Sequence, residues 1–167
     1  TLTIVMYHYV RDLKKSRYPE IKGLDVELFK EQIAHIQKHY VVVHPNDVIA
    51  AATGKKSSLP ANAALLTFDD GYADHFTYVL PILMEHKLSG MFFPVVKTIT
   101  ERKVLDINKV HFALASLKNT SEAINIINQT IDEHRDAFDL DSNEEYYRQH
   151  AVETRFDTAD IQFIKRL

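Results

Sequence analysis

The 167-residue chain contains no cysteine. Disulfides and thiolate metal sites are therefore excluded, and the compartment stays open between cytoplasm and cell envelope. No apolar run approaches the roughly 20 residues with which a helix crosses a bilayer. Positive charge is not in excess. Against 20 Lys and Arg stand 23 Asp and Glu, the net charge is −3, and no basic patch is visible. Nucleic acid is therefore not an expected partner. Internal repeats and low-complexity tracts are absent as well. The chain starts at Thr1, not at methionine, and ends inside a helix-like pattern, Ile161 to Leu167, so both ends read as those of a piece of something longer. The composition, 46% hydrophobic and 26% charged, suffices for the core of one ordinary domain.

Local patterns divide the chain into two parts. Residues 2–7 read as a β-rich strand, with His8 at or just past its end. Residues 11–24, with Pro19 and Gly23, read as a loop. Asp25 is a good N-cap for a helix through about His39, with Val26, Phe29, Ile33, Ile36 and Tyr40 on one apolar face. Val41–Val43 reads as a second strand, followed by a brief helix capped by Asn46 or Asp47 and ending near Gly54. A third strand is expected over Ala63–Phe68. A helix over residues 74–86 should kink or restart at Pro81. Met91 to Val96 reads as a fourth strand, buried on both faces, with Phe92 and Phe93 in the core. This β-α-β alternation predicts an α/β fold with parallel strands. Beyond residue 98 only helical patterns appear, near 107–118, 121–135, 142–150 and 158–166, with Ile124, Ile127 and Ile131 as an apolar stripe.

The most informative stretch is Thr67-Phe68-Asp69-Asp70-Gly71-Tyr72. It reads as a buried strand that delivers two carboxylates at its carboxyl end and then turns tightly into a helix. Like charges so close raise one another's pKa unless a cation or hydrogen bonds hold them. A metal ion is the usual remedy and leaves one acid free to act as a base. The plainer alternative is an Asp-Asp-Gly turn that caps a helix.

The surroundings favour chemistry. With Leu80-Pro81-Ile82-Leu83 and Gly90-Met91-Phe92-Phe93 downstream, and Met6-Tyr7-His8-Tyr9-Val10 and Phe29-Lys30-Glu31-Gln32-Ile33 upstream, the stretch resembles the amino-terminal part of the polysaccharide deacetylases. These are the NodB-homology family, or carbohydrate esterase family 4. The resemblance covers roughly residues 2–97. It implies a distorted (β/α) barrel, TIM-barrel-like, of about seven strands, which four strands cannot close at the usual tilt. Residues 1–97 would then be the β/α portion of a partial barrel with four parallel strands. Residues 98–167 would be a helical insertion, with the remaining strands beyond Leu167. A partial barrel needs its open edges covered, by these helices or by another chain, so an oligomer is compatible with the sequence. A small, complete α/β sandwich is the other architecture.

The same resemblance implies metal-dependent hydrolysis of an N-acetyl group on a polysaccharide or amino sugar, a carbon–nitrogen bond other than a peptide bond. Asp69 would be the catalytic base and Asp70 a ligand to a divalent metal, zinc first, with His8 and Tyr72 lining or supporting the site. Asp74 is expected to cap the following helix, and His75 and His86 to lie on its surface. The departures count too. The family's two metal histidines stand in a His-x-x-x-His pattern, and here that pattern occurs only as His35 and His39, on the first helix. His111 and His150 have no partner at that spacing, and the later arginine and histidine motifs are missing. A catalytic zinc takes at least three protein ligands. The piece is therefore expected to be inactive alone, or to belong to a catalytically silent relative that binds a glycan or a partner. An aspartate-nucleophile phosphatase would need Asp-x-Asp, and here the acids are adjacent.

Overall fold

A computed structural model describes every residue from Thr1 to Leu167, and the chain falls into two units, residues 1–103 and 104–167. In the first unit, β1 (Leu2–Tyr7), β2 (Val10–Arg11) and β3 (Leu24–Asp25) precede helix α1 (Val26–His39). Then come β4 (Val41–Val42), α2 (Pro45–Ala52) and β5 (Ala63–Asp70). A π-helical turn (His75–Val79) runs into α3 (Leu80–Glu85), followed by β6 (Met91–Pro94) and the short α4 (Val96–Thr100).

Strand β5 organises the sheet. On one edge β1 pairs with it in parallel, from Leu2 opposite Ala63 to Tyr7 opposite Phe68. Its other edge is shared. The short β4 takes Ala63 and Ala64, and β6 takes Thr67 through Asp70. All four strands are parallel, as the β-α-β alternation predicts, and the sheet is open. Flanked on both edges, β5 is buried from Ala63 to Phe68. That explains its apolar run from Ala63 to Leu66.

Side chains alternate across a sheet, so Val5, Tyr7, Leu66 and Phe68 share one face. They pack with Phe29, Ile33 and Ile36 of α1 and Ile82 and Leu83 of α3. Phe68 is the hub. It stacks on Tyr7 at 5.3 Å and on Phe92 at 4.8 Å, and meets Phe29 edge-on at 6.1 Å. A β-carbon on Gly90 would lie 2.7 Å from the Phe68 ring, so the chain enters β6 against this side chain. The opposite face leaves Ile4, Met6 and Phe93 exposed.

Helix α1 begins where expected, because the Asp25 carboxylate accepts the Glu27 amide at 3.0 Å. Its buried residues are Phe29, Ile33 and Ile36, the centre of the predicted stripe. The helix after β5 restarts at Leu80, which puts Pro81 in the first turn of α3, where a missing N–H costs nothing. Other expectations are corrected. The 11–24 loop holds a 3₁₀ turn at Leu13–Lys15 and is clamped at its ends by parallel pairing of β2 with β3. The cap of α2 is His44, whose Nδ1 accepts the Asn46 amide at 3.2 Å, because Pro45 already occupies the first helical turn. Strand β6 stops at Pro94, and Phe92 and Phe93 are 37% and 47% exposed instead of core. The reason is that β6 pairs only with β5 and is an edge strand, the place where a proline is tolerated. Val96 opens α4 and is exposed.

The second unit contains helices α5 (Asp106–Leu114), α6 (Ser121–Phe138), α7 (Asn143–His150) and α8 (Ala159–Arg166), with no strand, as the patterns predict. Ile131 and Phe163 are its buried apolar residues. Asp157 is buried but satisfied, accepting from Gln162 at 2.9 Å and Lys165 at 2.7 Å. Asp160 ties α8 to the unit by accepting from the hydroxyls of Thr120 at 2.9 Å and Tyr147 at 2.6 Å.

Truncating the hub should be severe. Phe68→Ala is expected to lower unfolding free energy by about 3–5 kcal/mol in chemical denaturation. Tyr7 provides a pH signature. Burial pushes its phenol up to about 12, and its hydroxyl donates to Gln32 at 3.1 Å. The folded chain thus holds this proton more tightly than the unfolded chain, whose phenol titrates near the ordinary value of about 10. The contribution is full below pH 10 and is lost as pH rises toward 12. Denaturation across that range should show the decline, and Tyr7→Phe should remove Tyr7's part of it.

Candidate functional site

Strand β5 carries Asp69 and Asp70 to the carboxyl edge of the parallel sheet, where sites form in such folds. The two acids differ in backbone. Asp69 is extended and pairs with Phe93. Asp70 has φ +71° and Gly71 has φ +67°, so the left-handed region begins at the second acid. Aspartate tolerates this conformation better than most residues, at a cost of about 1–3 kcal/mol. Gly71 has no substitute. A β-carbon there would lie 2.7 Å from Pro94 Cβ and 2.9 Å from its Cα. The turn is therefore pressed onto the end of β6.

Each side chain leaving this turn has a specific partner. The Tyr72 hydroxyl donates to Asp70 Oδ2 at 2.5 Å, and the Tyr72 ring stacks on the buried Tyr9 at 4.2 Å. Burial, and then the Asp70 carboxylate, push the Tyr72 phenol far above its ordinary range, so it stays a neutral donor. His8 Nε2 lies 3.9 Å from Asp69 Oδ2. That is beyond a hydrogen bond but close enough for an ion pair whenever the ring is protonated. His8 is 46% and Asp69 29% exposed, so this pair is open to solvent.

Two expected surface or capping residues are neither. Asp74 makes no helix cap. Its Oδ2 accepts from Arg11 Nη2 at 2.6 Å and from Nε at 2.8 Å, with both side chains mostly buried. Arg11 also lies 4.8 Å over the Tyr9 ring. A charged partner outcompetes an exposed backbone amide for this carboxylate. His75 is 3% exposed instead of on the surface. Its Nε2 donates to the His8 backbone carbonyl at 2.7 Å, and its ring lies 5.6 Å from Phe68, 5.6 Å from Tyr72 and 5.9 Å from Phe92. A signal was available. His75 precedes Val79, Ile82 and Leu83 at helical spacing, and all three are buried. His86 is half-exposed, with Nδ1 2.7 Å from Gln37 Oε1.

Within the first unit, the two histidines of α1 do not join the carboxylates. His35 and His39 are exposed on α1, their rings 4.4 Å apart. His111 lies in α5, and His150 closes α7 beside Tyr146. No group of three or more His, Cys, Asp or Glu side chains converges to hold a metal ion. Asp70 is one carboxylate, already engaged by a phenol, and a catalytic zinc takes three protein ligands. The residues of this chain do not by themselves fit a zinc centre.

The chain belongs to the polysaccharide deacetylase family, whose family model matches residues 56–153. That stretch starts before β5 and runs into the helical unit. Among solved structures, the chain is similar to a de-N-acetylase from Aggregatibacter actinomycetemcomitans, at 29% identity and TM-score 0.47 over 56% of this chain and 37% of that one. IcaB from Ammonifex degensii matches at 21% identity and TM-score 0.49, over 70% of this chain and 52% of IcaB. The Streptococcus pyogenes deacetylase PplD in complex with acetate matches at 12% identity and TM-score 0.49, over 99% and 79%. The chain thus spans about a third to a half of the first two structures. No curated protein matches it.

The Arg11–Asp74 pair should matter for the turn. A double-mutant cycle with Arg11→Met and Asp74→Asn, read by thermal or urea unfolding, should return a coupling of about 1–3 kcal/mol. The single Arg11→Met change should be the most costly, because it strands a mostly buried carboxylate.

Proposed function

We propose that this chain carries the first part of the site of a hydrolase that removes N-acetyl groups from a polysaccharide or amino-sugar substrate. Asp69 is the base. Its exposed carboxylate takes a proton from the water that attacks the amide carbonyl, and cleavage of the carbon–nitrogen bond releases acetate and the sugar amine. A divalent metal, zinc first, enters this reading through Asp70 alone. The other ligands and the donor that protonates the amine are not among these residues. The open parallel sheet is read as part of a distorted (β/α) barrel, with residues 1–97 its β/α portion and residues 98–167 a helical insertion. The observation that carries the reading is the placement of two adjacent acids at the carboxyl edge of β5, within the stretch the family model matches.

The missing three-ligand cluster favours a second reading, a catalytically silent relative that keeps the turn as a scaffold and binds a glycan or a partner. One pair of experiments separates the two. In the full-length protein supplied with zinc, Asp69→Asn should abolish acetate release from N-acetylated oligosaccharides while the metal stays bound, and Asp70→Ala should abolish metal binding. The 167-residue chain alone should release no acetate. Retained turnover in both full-length variants removes these acids from the mechanism. A full-length protein that binds glycan without releasing acetate establishes the silent relative.

A further inference from the structure

The π-helical turn places one buried histidine under the end of β1, and neither the family match nor the proposed mechanism gives it a task. We propose that His75 is a positioning residue whose Nε2–H bond to the His8 carbonyl fixes the end of β1 and so holds the His8 ring against Asp69.

Pairing of β1 with β5 stops at Tyr7 opposite Phe68, so the sheet ladder does not hold His8. The His8 ring nonetheless lies 3.9 Å from Asp69 Oδ2. A carbonyl can only accept, so the 2.7 Å contact fixes the proton of His75 on Nε2. In the neutral ring the other nitrogen, Nδ1, is then a bare acceptor, and it is buried with no hydrogen-bond partner. An orphaned buried acceptor is costly, and a phenylalanine would fill an aromatic slot between Phe68, Tyr72 and Phe92 without that cost. The histidine is offset only by the bond it makes to His8. The turn that presents it has π geometry, over His75–Val79. Such wide turns in a helix often mark functional positions.

The catalytic part of this inference rests on the deacetylase reading, and the structural part does not. The experiment therefore has two arms in the full-length protein. In the first, imidazole NMR of the unaltered protein should show His75 as the Nε2–H tautomer, with a coupling across the hydrogen bond to the His8 carbonyl. The His8 ring signals should move in His75→Phe and stay in place in His75→Gln, whose amide reaches the same carbonyl. In the second arm, His75→Phe should lower kcat for acetate release about 10- to 100-fold with little change in KM, the size expected for a misplaced group. His75→Gln should recover most of the rate. An Nδ1–H tautomer, or His8 signals unmoved in His75→Phe, overturns the proposal. So does a Gln variant as impaired as the Phe variant. If the unaltered protein gives no turnover, the deacetylase reading fails and the NMR arm still decides the role of His75. If His75→Phe fails to fold, the tautomer and the Gln variant decide it.

Discussion

The double flanking of β5 is the constraint on which the first unit depends. One edge is occupied by β1 from Ala63 to Phe68, and the other is divided between β4 and β6. The division leaves β4 two residues long and starts β6 opposite Thr67. Every residue of β5 from Ala63 to Phe68 is then buried, and all but Thr67 are apolar. The strand becomes charged only where its cover thins, at Asp69. The same pairing that builds the core thus sets the position of the acids along the sheet.

From that point the turn is fastened to the end of β1 and to β2 by three unlike interactions. Tyr72 stacks on Tyr9, Asp74 holds Arg11, and His75 bonds the His8 carbonyl. Residues 72–75 are thereby matched to residues 8–11 by an aromatic pair, an ion pair and a hydrogen bond. Left-handed backbone at Asp70, continued by Gly71, is a strained way for an aspartate to leave a strand, and it persists only where surroundings over-determine it. These three contacts, with the packing of Gly71 on Pro94, supply that determination.

Much of this was legible in the sequence, and the exceptions have physical causes. Capping at Asp25, the α1 stripe, the restart at Pro81 and the parallel strands followed from local chemistry and periodicity alone. The failures cluster where a partner distant in sequence decides. Asp74 resembles a cap until Arg11, 63 residues earlier, is brought beside it. His75 resembles a surface histidine only if its apolar spacing to Val79, Ile82 and Leu83 is discounted because it is polar. Phe92 and Phe93 resemble core because edge status depends on how many strands the sheet has, and no local pattern carries that number. The Asp69–Asp70 pair was conspicuous in the sequence, but the detail that separates the two acids is a backbone angle.

That angle bears on the chemistry. Two identical side chains in consecutive positions acquire different tasks only if their environments differ. In a regular strand the difference would be one of face alone, since successive side chains point to opposite sides. Here the backbone adds a second distinction. Asp69 stays in the extended ladder opposite Phe93, open to solvent, with an imidazole at ion-pair distance. Asp70 ends the ladder opposite Pro94 with left-handed backbone, and its Oδ2 accepts from a phenol that stays protonated. A carboxylate held by a neutral donor is fixed in orientation and keeps its negative charge and its remaining lone pairs. The Asp69 carboxylate has no such neutral donor and faces an imidazole instead. The two consecutive acids are thus unlike in backbone and in partner, and the proposed division into base and ligand is one that this difference allows.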